Sequence, residues 1–120
     1  MSHDPRPIKE ERVKKRVKKL FVTYGVSYFM PVQSGYGSSS LDFLCCHKGR
    51  FLAVETKAPG KHMTPRQELI RDEIEAAGGT VFVVGESFIP GDRAIYNGKK
   101  PINDKFSGEE ALEGWLLLGP

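Results

Sequence analysis

Between residues 8 and 24, Val13, Val17, Leu20, Phe21 and Tyr24 recur at helical spacing, and lysines and arginines fill most other positions. Gly25 follows, so the pattern predicts an amphipathic first helix that stops there. Val26 to Val32 alternates loosely and is rich in β-branched and aromatic residues, as a strand requires. Gln33 to Ser40 is a Gly/Ser loop with Tyr36 inside it. Leu41 to His47 and Arg50 to Lys57 are strand-like on either side of Lys48-Gly49, and Ala58-Pro59-Gly60 closes the second. Thr64, Pro65 and Gln67 supply an N-cap, an N1 proline and a capping-box partner for a helix that Gly78-Gly79 ends. Thr80 to Val84 is a short apolar strand, and its place after a crossover helix predicts parallel pairing with an earlier strand. Residues 86–107 carry Gly, Pro, Asn and Asp throughout, which predicts a surface excursion or a small hairpin turning at Asn97-Gly98. Ser107 and Glu110 then box a final helix bearing Leu112, Trp115 and Leu116. The fold class is α/β, with core order α-β-β-β-α-β over about 8–85 and a loop-rich extension with a C-terminal helix over 86–120.

Composition narrows the function classes. A chain of 120 residues suits one domain, and 39% hydrophobic residues with 13 glycines excludes wholesale disorder. Its longest apolar runs, such as Val81–Val84 and Trp115–Leu118, are four residues, against the roughly 20 a bilayer span takes, so no membrane partner is expected. The N-terminus has no apolar stretch of a secretory signal. The two cysteines are neighbours, Cys45 and Cys46, which is no disulfide framework and fits a reducing cytoplasm. Adjacent strand residues face opposite ways, so Cys45, Cys46 and His47 read as core and hairpin residues rather than metal ligands.

The net charge of +3 is small, but the segment from Arg6 to Lys19 holds eight basic residues and two acids, a local +6. Such a stripe suits counterion release from a phosphate backbone; a solvated helix face is the plain alternative, and the segment alone does not choose.

The acidic positions point to chemistry. Glu55 and Lys57 alternate onto the same face of their strand. A two-residue tip at Lys48-Gly49 sets His47 opposite Arg50 and, counting along the register, Asp42 opposite Glu55. Opposed Cβ atoms lie about 4.5–5.5 Å apart, and like charges there destabilise a sheet unless something offsets them. A divalent cation does so, since Mg²⁺ is held by one or two carboxylates plus waters and phosphate oxygens. A three-residue tip would turn Asp42 to the opposite face. The plain alternative is a Glu55–Lys57 ion pair with Asp42 as a turn residue. Glu10 falls within the apolar stripe of the first helix, with Glu11 at its edge as second choice. Gln67 shares a face with Ile70 and Ile74, pointing inward or completing the box with Thr64.

Asp42-Phe43-Leu44-Cys45-Cys46, Gly49-Arg50-Phe51, Glu55-Thr56-Lys57, Thr64, Gln67 and Gly78-Gly79, after a helix with an inward Glu10, together resemble the PD-(D/E)XK nuclease superfamily. More narrowly the chain resembles its small phage VRR-NUC proteins, relatives of Holliday junction resolvases, from about Glu10 to Val84. It departs at Leu41, where the family usually has Pro. The resemblance implies a restriction-endonuclease-like αβββαβ core, a mixed sheet flanked by helices, and a Mg²⁺- or Mn²⁺-dependent DNA endonuclease, nicking or junction-cleaving. It implies Asp42, Glu55, the Thr56 carbonyl and Glu10 as metal ligands, and Lys57 and Gln67 as further catalytic residues. Lys14, Lys15, Lys18, Lys19 and Lys61, with Tyr36, Ser38 and Ser39 of the loop, are the candidate DNA contacts. A homodimer acting on duplex or branched DNA in a bacterial host cytoplasm is the matching expectation, with Trp115 and its leucines as a docking or dimer face. The competing class is a non-catalytic nucleic-acid-binding or host-interaction protein that keeps the nuclease fold.

Overall fold

The computed structural model describes residues 10–32, 40–58, 61–85 and 108–118. The Tyr36, Ser38 and Ser39 loop, the Asn97-Gly98 turn and Ser107 lie outside these residues. The chain forms α1 (Glu10–Tyr24), β1 (Ser27–Phe29), β2 (Phe43–His47), β3 (Arg50–Thr56), α2 (Pro65–Ala76), β4 (Thr80–Val84) and α3 (Glu109–Leu118). The four strands make one mixed sheet in the order β1-β2-β3-β4, antiparallel from β1 to β3 and parallel between β3 and β4. Among the described residues no helix is long and apolar enough to cross a membrane.

The β2–β3 register is set by the turn. Lys48 (φ 52°) and Gly49 (φ 77°) both lie in the left-handed region, as a two-residue hairpin whose twist matches its strands demands. His47 therefore pairs with Arg50 and Phe43 with Val54. β3 is central, and its residues from Leu52 to Thr56 are all buried.

Alternation divides the core. Leu52 and Val54 join Val13, Val17 and Phe21 of α1 and Leu112 and Leu116 of α3 on one face. Ala53 joins Leu41 and Met63 on the other, with Ile70 and Ile74 of α2 packed against them. Leu41 is fully buried and anchors the backbone just before Asp42 by packing.

Two regions differ from the sequence-based expectation. β1 is only three residues long and exposed throughout, because as an edge strand it buries neither face fully. Trp115 and its leucines, expected on a docking or dimer face, are in large part turned inward. Leu112 and Leu116 belong to the core, Trp115 meets Phe82 edge-on at 5.8 Å, and the Arg50 guanidinium lies 4.0 Å over its ring. The α3 backbone is held as well: His47 Nε2 donates to the Leu116 carbonyl at 3.1 Å. Arg16 of α1 meets Glu109 through a two-pronged bond, both prongs 2.9 Å. Leu117 and Leu118 are the large apolar residues of that helix left mostly exposed.

Gly85 closes the end of β4 onto the backbone at Lys57. Its φ is 98°, and a Cβ there would overlap the Lys57 carbonyl oxygen. The contact lets β4 continue alongside Lys57, whose N–H donates to the Val84 carbonyl at 2.8 Å. Gly85→Ala combines a backbone clash with a disfavoured φ and is expected to cost about 3 kcal/mol or more in urea unfolding. A loss below about 1 kcal/mol would contradict this close approach.

Candidate active site

The site forms where β2 runs out. Asp42 lies one step beyond the last ladder pair, so the Thr56 N–H, facing the β2 side, has no strand partner there. The Asp42 carboxylate takes that place. Its Oδ2 accepts from Thr56 N at 3.0 Å and from Thr56 Oγ1 at 2.5 Å. In return Asp42 N donates to Glu55 Oε1 at 3.1 Å. These exchanged bonds lock the two acids side by side.

Lys57 emerges two residues after Glu55 on the same face, its Nζ 3.6 Å from Glu55 Oε2, and both side chains are mostly buried. Gln67 resolves its two readings by serving both. Its N–H donates to Thr64 Oγ1 at 3.1 Å and its Oε1 accepts from Thr64 N at 2.9 Å, completing the capping box. The box fixes the rotamer so that Gln67 Nε2 donates to Glu55 Oε2 at 2.8 Å. Gln67 thus steadies Glu55.

From the opposite face, α1 contributes Glu10 and Lys14. Lys14 Nζ lies 3.4 Å from Glu10 Oε2 and 3.6 Å from Asp42 Oδ1. Glu10 therefore reaches the centre through Lys14, whereas Glu11 is exposed. Lys14, read from sequence as a DNA contact, belongs to the acidic centre. One turn separates it from Glu10, which sets them only about 40° apart around the helix. Thr56, expected to act through its carbonyl, also holds Asp42 through its N–H and hydroxyl, a role the sequence does not signal. Of the remaining candidate DNA contacts, Lys15, Lys19 and Lys61 are exposed and Lys18 half-buried.

This crowding sets the electrostatics. Burial, and then the neighbouring Asp42 charge, push the Glu55 carboxyl up to about 7, although Lys57 and the Asp42 N–H pull the other way. Burial alone would lower the Lys14 ammonium, but Asp42 and Glu10 outweigh it and raise its pKa. Burial raises the Cys45 thiol to about 12, which makes it an inert core residue.

Among the described residues, no three His, Cys, Asp or Glu side chains converge as a group able to hold a metal by themselves. The donor set fits a hard cation that keeps water and phosphate oxygens as its other ligands, as Mg²⁺ and Mn²⁺ do. Asp42 and Glu55 are adjacent carboxylates, one driven toward protonation by its neighbour, and a cation shared between them would remove that repulsion. Comparison of the chain with known protein families and with curated proteins finds no match.

Proposed function

We propose that this chain is a divalent-metal-dependent DNA endonuclease, similar to the VRR-NUC group of the PD-(D/E)XK superfamily. The observation that carries the reading is the pair Asp42 and Glu55, locked together at the end of β3 with the Lys57 ammonium 3.6 Å from Glu55. Asp42 Oδ1 and Glu55 would hold the ion, with the Thr56 carbonyl as a further ligand and Glu10 reaching it through water. When bound, Mg²⁺ or Mn²⁺ supplies polarisation of the scissile phosphate and a water of lowered pKa. The protein's own groups do the rest. Lys57 presents a positive charge where a phosphoryl oxygen gains negative charge. Thr56 and Gln67 keep the two carboxylates from rotating away, the support that metal ligands need. Lys15, Lys18 and Lys19 follow α1 outward from this centre and suit the DNA backbone, which makes binding salt-dependent. A two-fold assembly carrying two such centres completes the proposal.

Supercoiled plasmid and a four-way junction, each incubated with Mg²⁺, Mn²⁺ or EDTA, test the reading. Cleavage of either substrate with metal and none with EDTA is expected. DNA binding without cleavage in either metal would replace the enzyme with a non-catalytic nucleic-acid reader.

A further inference from the structure

Each oxygen of the two central carboxylates has a definite partner. Asp42 Oδ2 is taken by the Thr56 N–H and hydroxyl. Glu55 Oε1 is taken by the Asp42 N–H, and Oε2 by Gln67 and Lys57. Asp42 Oδ1 is different, since among the described residues its one partner is the Lys14 ammonium at 3.6 Å. An ion bound through Asp42 must therefore use the oxygen that Lys14 faces.

The two lysines of the centre are not equivalent. Lys57 is 11% exposed and its partner Glu55 3%, so that pair is enclosed. Lys14 is 30% exposed on the flank of a surface helix and can swing its long stem toward solvent without disturbing the core. With Glu55 ionised, Glu10, Asp42 and Glu55 against Lys14 and Lys57 leave one negative charge. A dication turns this into one positive charge, and a scissile phosphate cancels it.

We propose that Lys14 is the resident counter-cation of the metal-free centre, held on Asp42 Oδ1 until a divalent ion takes that oxygen, and then freed to bind the substrate phosphate. The inference rests on the endonuclease reading and adds to it a second lysine, outside the E-x-K signature, supplied by α1. Lys14 is a positioning residue without substrate and a phosphate ligand with it. Ammonium and metal compete for one oxygen, so removing the ammonium strengthens metal binding and weakens turnover. A purely structural salt bridge would lose both together.

Calorimetric titration of the full chain with Mn²⁺ at pH 8, without DNA, tests this on wild type, Lys14→Met and Lys14→Arg. Lys14→Met is expected to bind Mn²⁺ about tenfold more tightly, the scale of one removed competing charge, yet to cleave more slowly at saturating Mn²⁺. Lys14→Arg keeps the charge and should remain near wild type in affinity. In the unmutated protein, the ¹⁵Nζ resonance of Lys14 should move toward that of a free lysine as Mg²⁺ is added, a readout that needs no variant to fold. Unchanged or weaker Mn²⁺ affinity in Lys14→Met, or a Lys14 resonance indifferent to Mg²⁺, would overturn the exchange while leaving the endonuclease reading standing. Absence of Mn²⁺ binding to wild type and variant alike would overturn both.

Discussion

Asp42→Asn is expected to lower Mg²⁺-dependent DNA cleavage by roughly 10³-fold or more, the scale seen when a charge-stabilising group is removed from an active site. The substitution is nearly isosteric. Its carboxamide oxygen can still accept from Thr56 N and Oγ1, and its backbone N–H still donates to Glu55 Oε1. What disappears is the charge, and with it the ligand oxygen facing Lys14. Circular dichroism and the urea midpoint should therefore stay close to wild type while plasmid nicking vanishes. Cleavage within tenfold of wild type in a folded Asp42→Asn protein would remove the mechanism.

The second large effect is a pH dependence of stability without metal. The Glu55 carboxyl titrates near 4.5 in the unfolded chain and near 7 in the folded one. Between those values the folded state binds more protons, so stability falls as pH rises, and above about 7 the loss is complete. Because Glu55 is buried, the loss is on the order of 3 kcal/mol. Urea unfolding in EDTA at pH 5 and pH 8 should show it, and Glu55→Gln should flatten the slope even if its absolute stability shifts. Mg²⁺ should restore wild-type stability at pH 8 and do little at pH 5, where the proton occupies the carboxylate. Equal slopes for wild type and Glu55→Gln would contradict the crowded-carboxylate account.

Local signals in the chain carried most of the fold. The apolar stripe ending at Gly25 delimits α1, and Thr64, Pro65 and Gln67 mark the start of α2, because caps and periodicity act within a turn or two. The Lys48-Gly49 dipeptide set the β2–β3 register and thereby the meeting of Asp42 with Glu55. Contacts made across the chain were not legible. Arg16 and Glu109 are 93 residues apart, and neither has a local pattern that names the other. Trp115 looked like a free apolar face because Phe82 and Arg50, which cover it, come from distant strands. Lys14 was hidden in a run of lysines, distinguished only by its angle beside Glu10. The grip of the Thr56 N–H and hydroxyl on Asp42 was hidden because a missing ladder partner shows only once β2 is seen to end at Phe43.

The central claim is that Asp42 and Glu55 share one divalent ion beside the Lys57 ammonium. Crystals soaked in Mn²⁺ and measured at the manganese absorption edge test it most directly. The account predicts one strong anomalous peak about 2.0–2.2 Å from oxygens of both carboxylates. No peak there, at Mn²⁺ concentrations that support cleavage in solution, would contradict it.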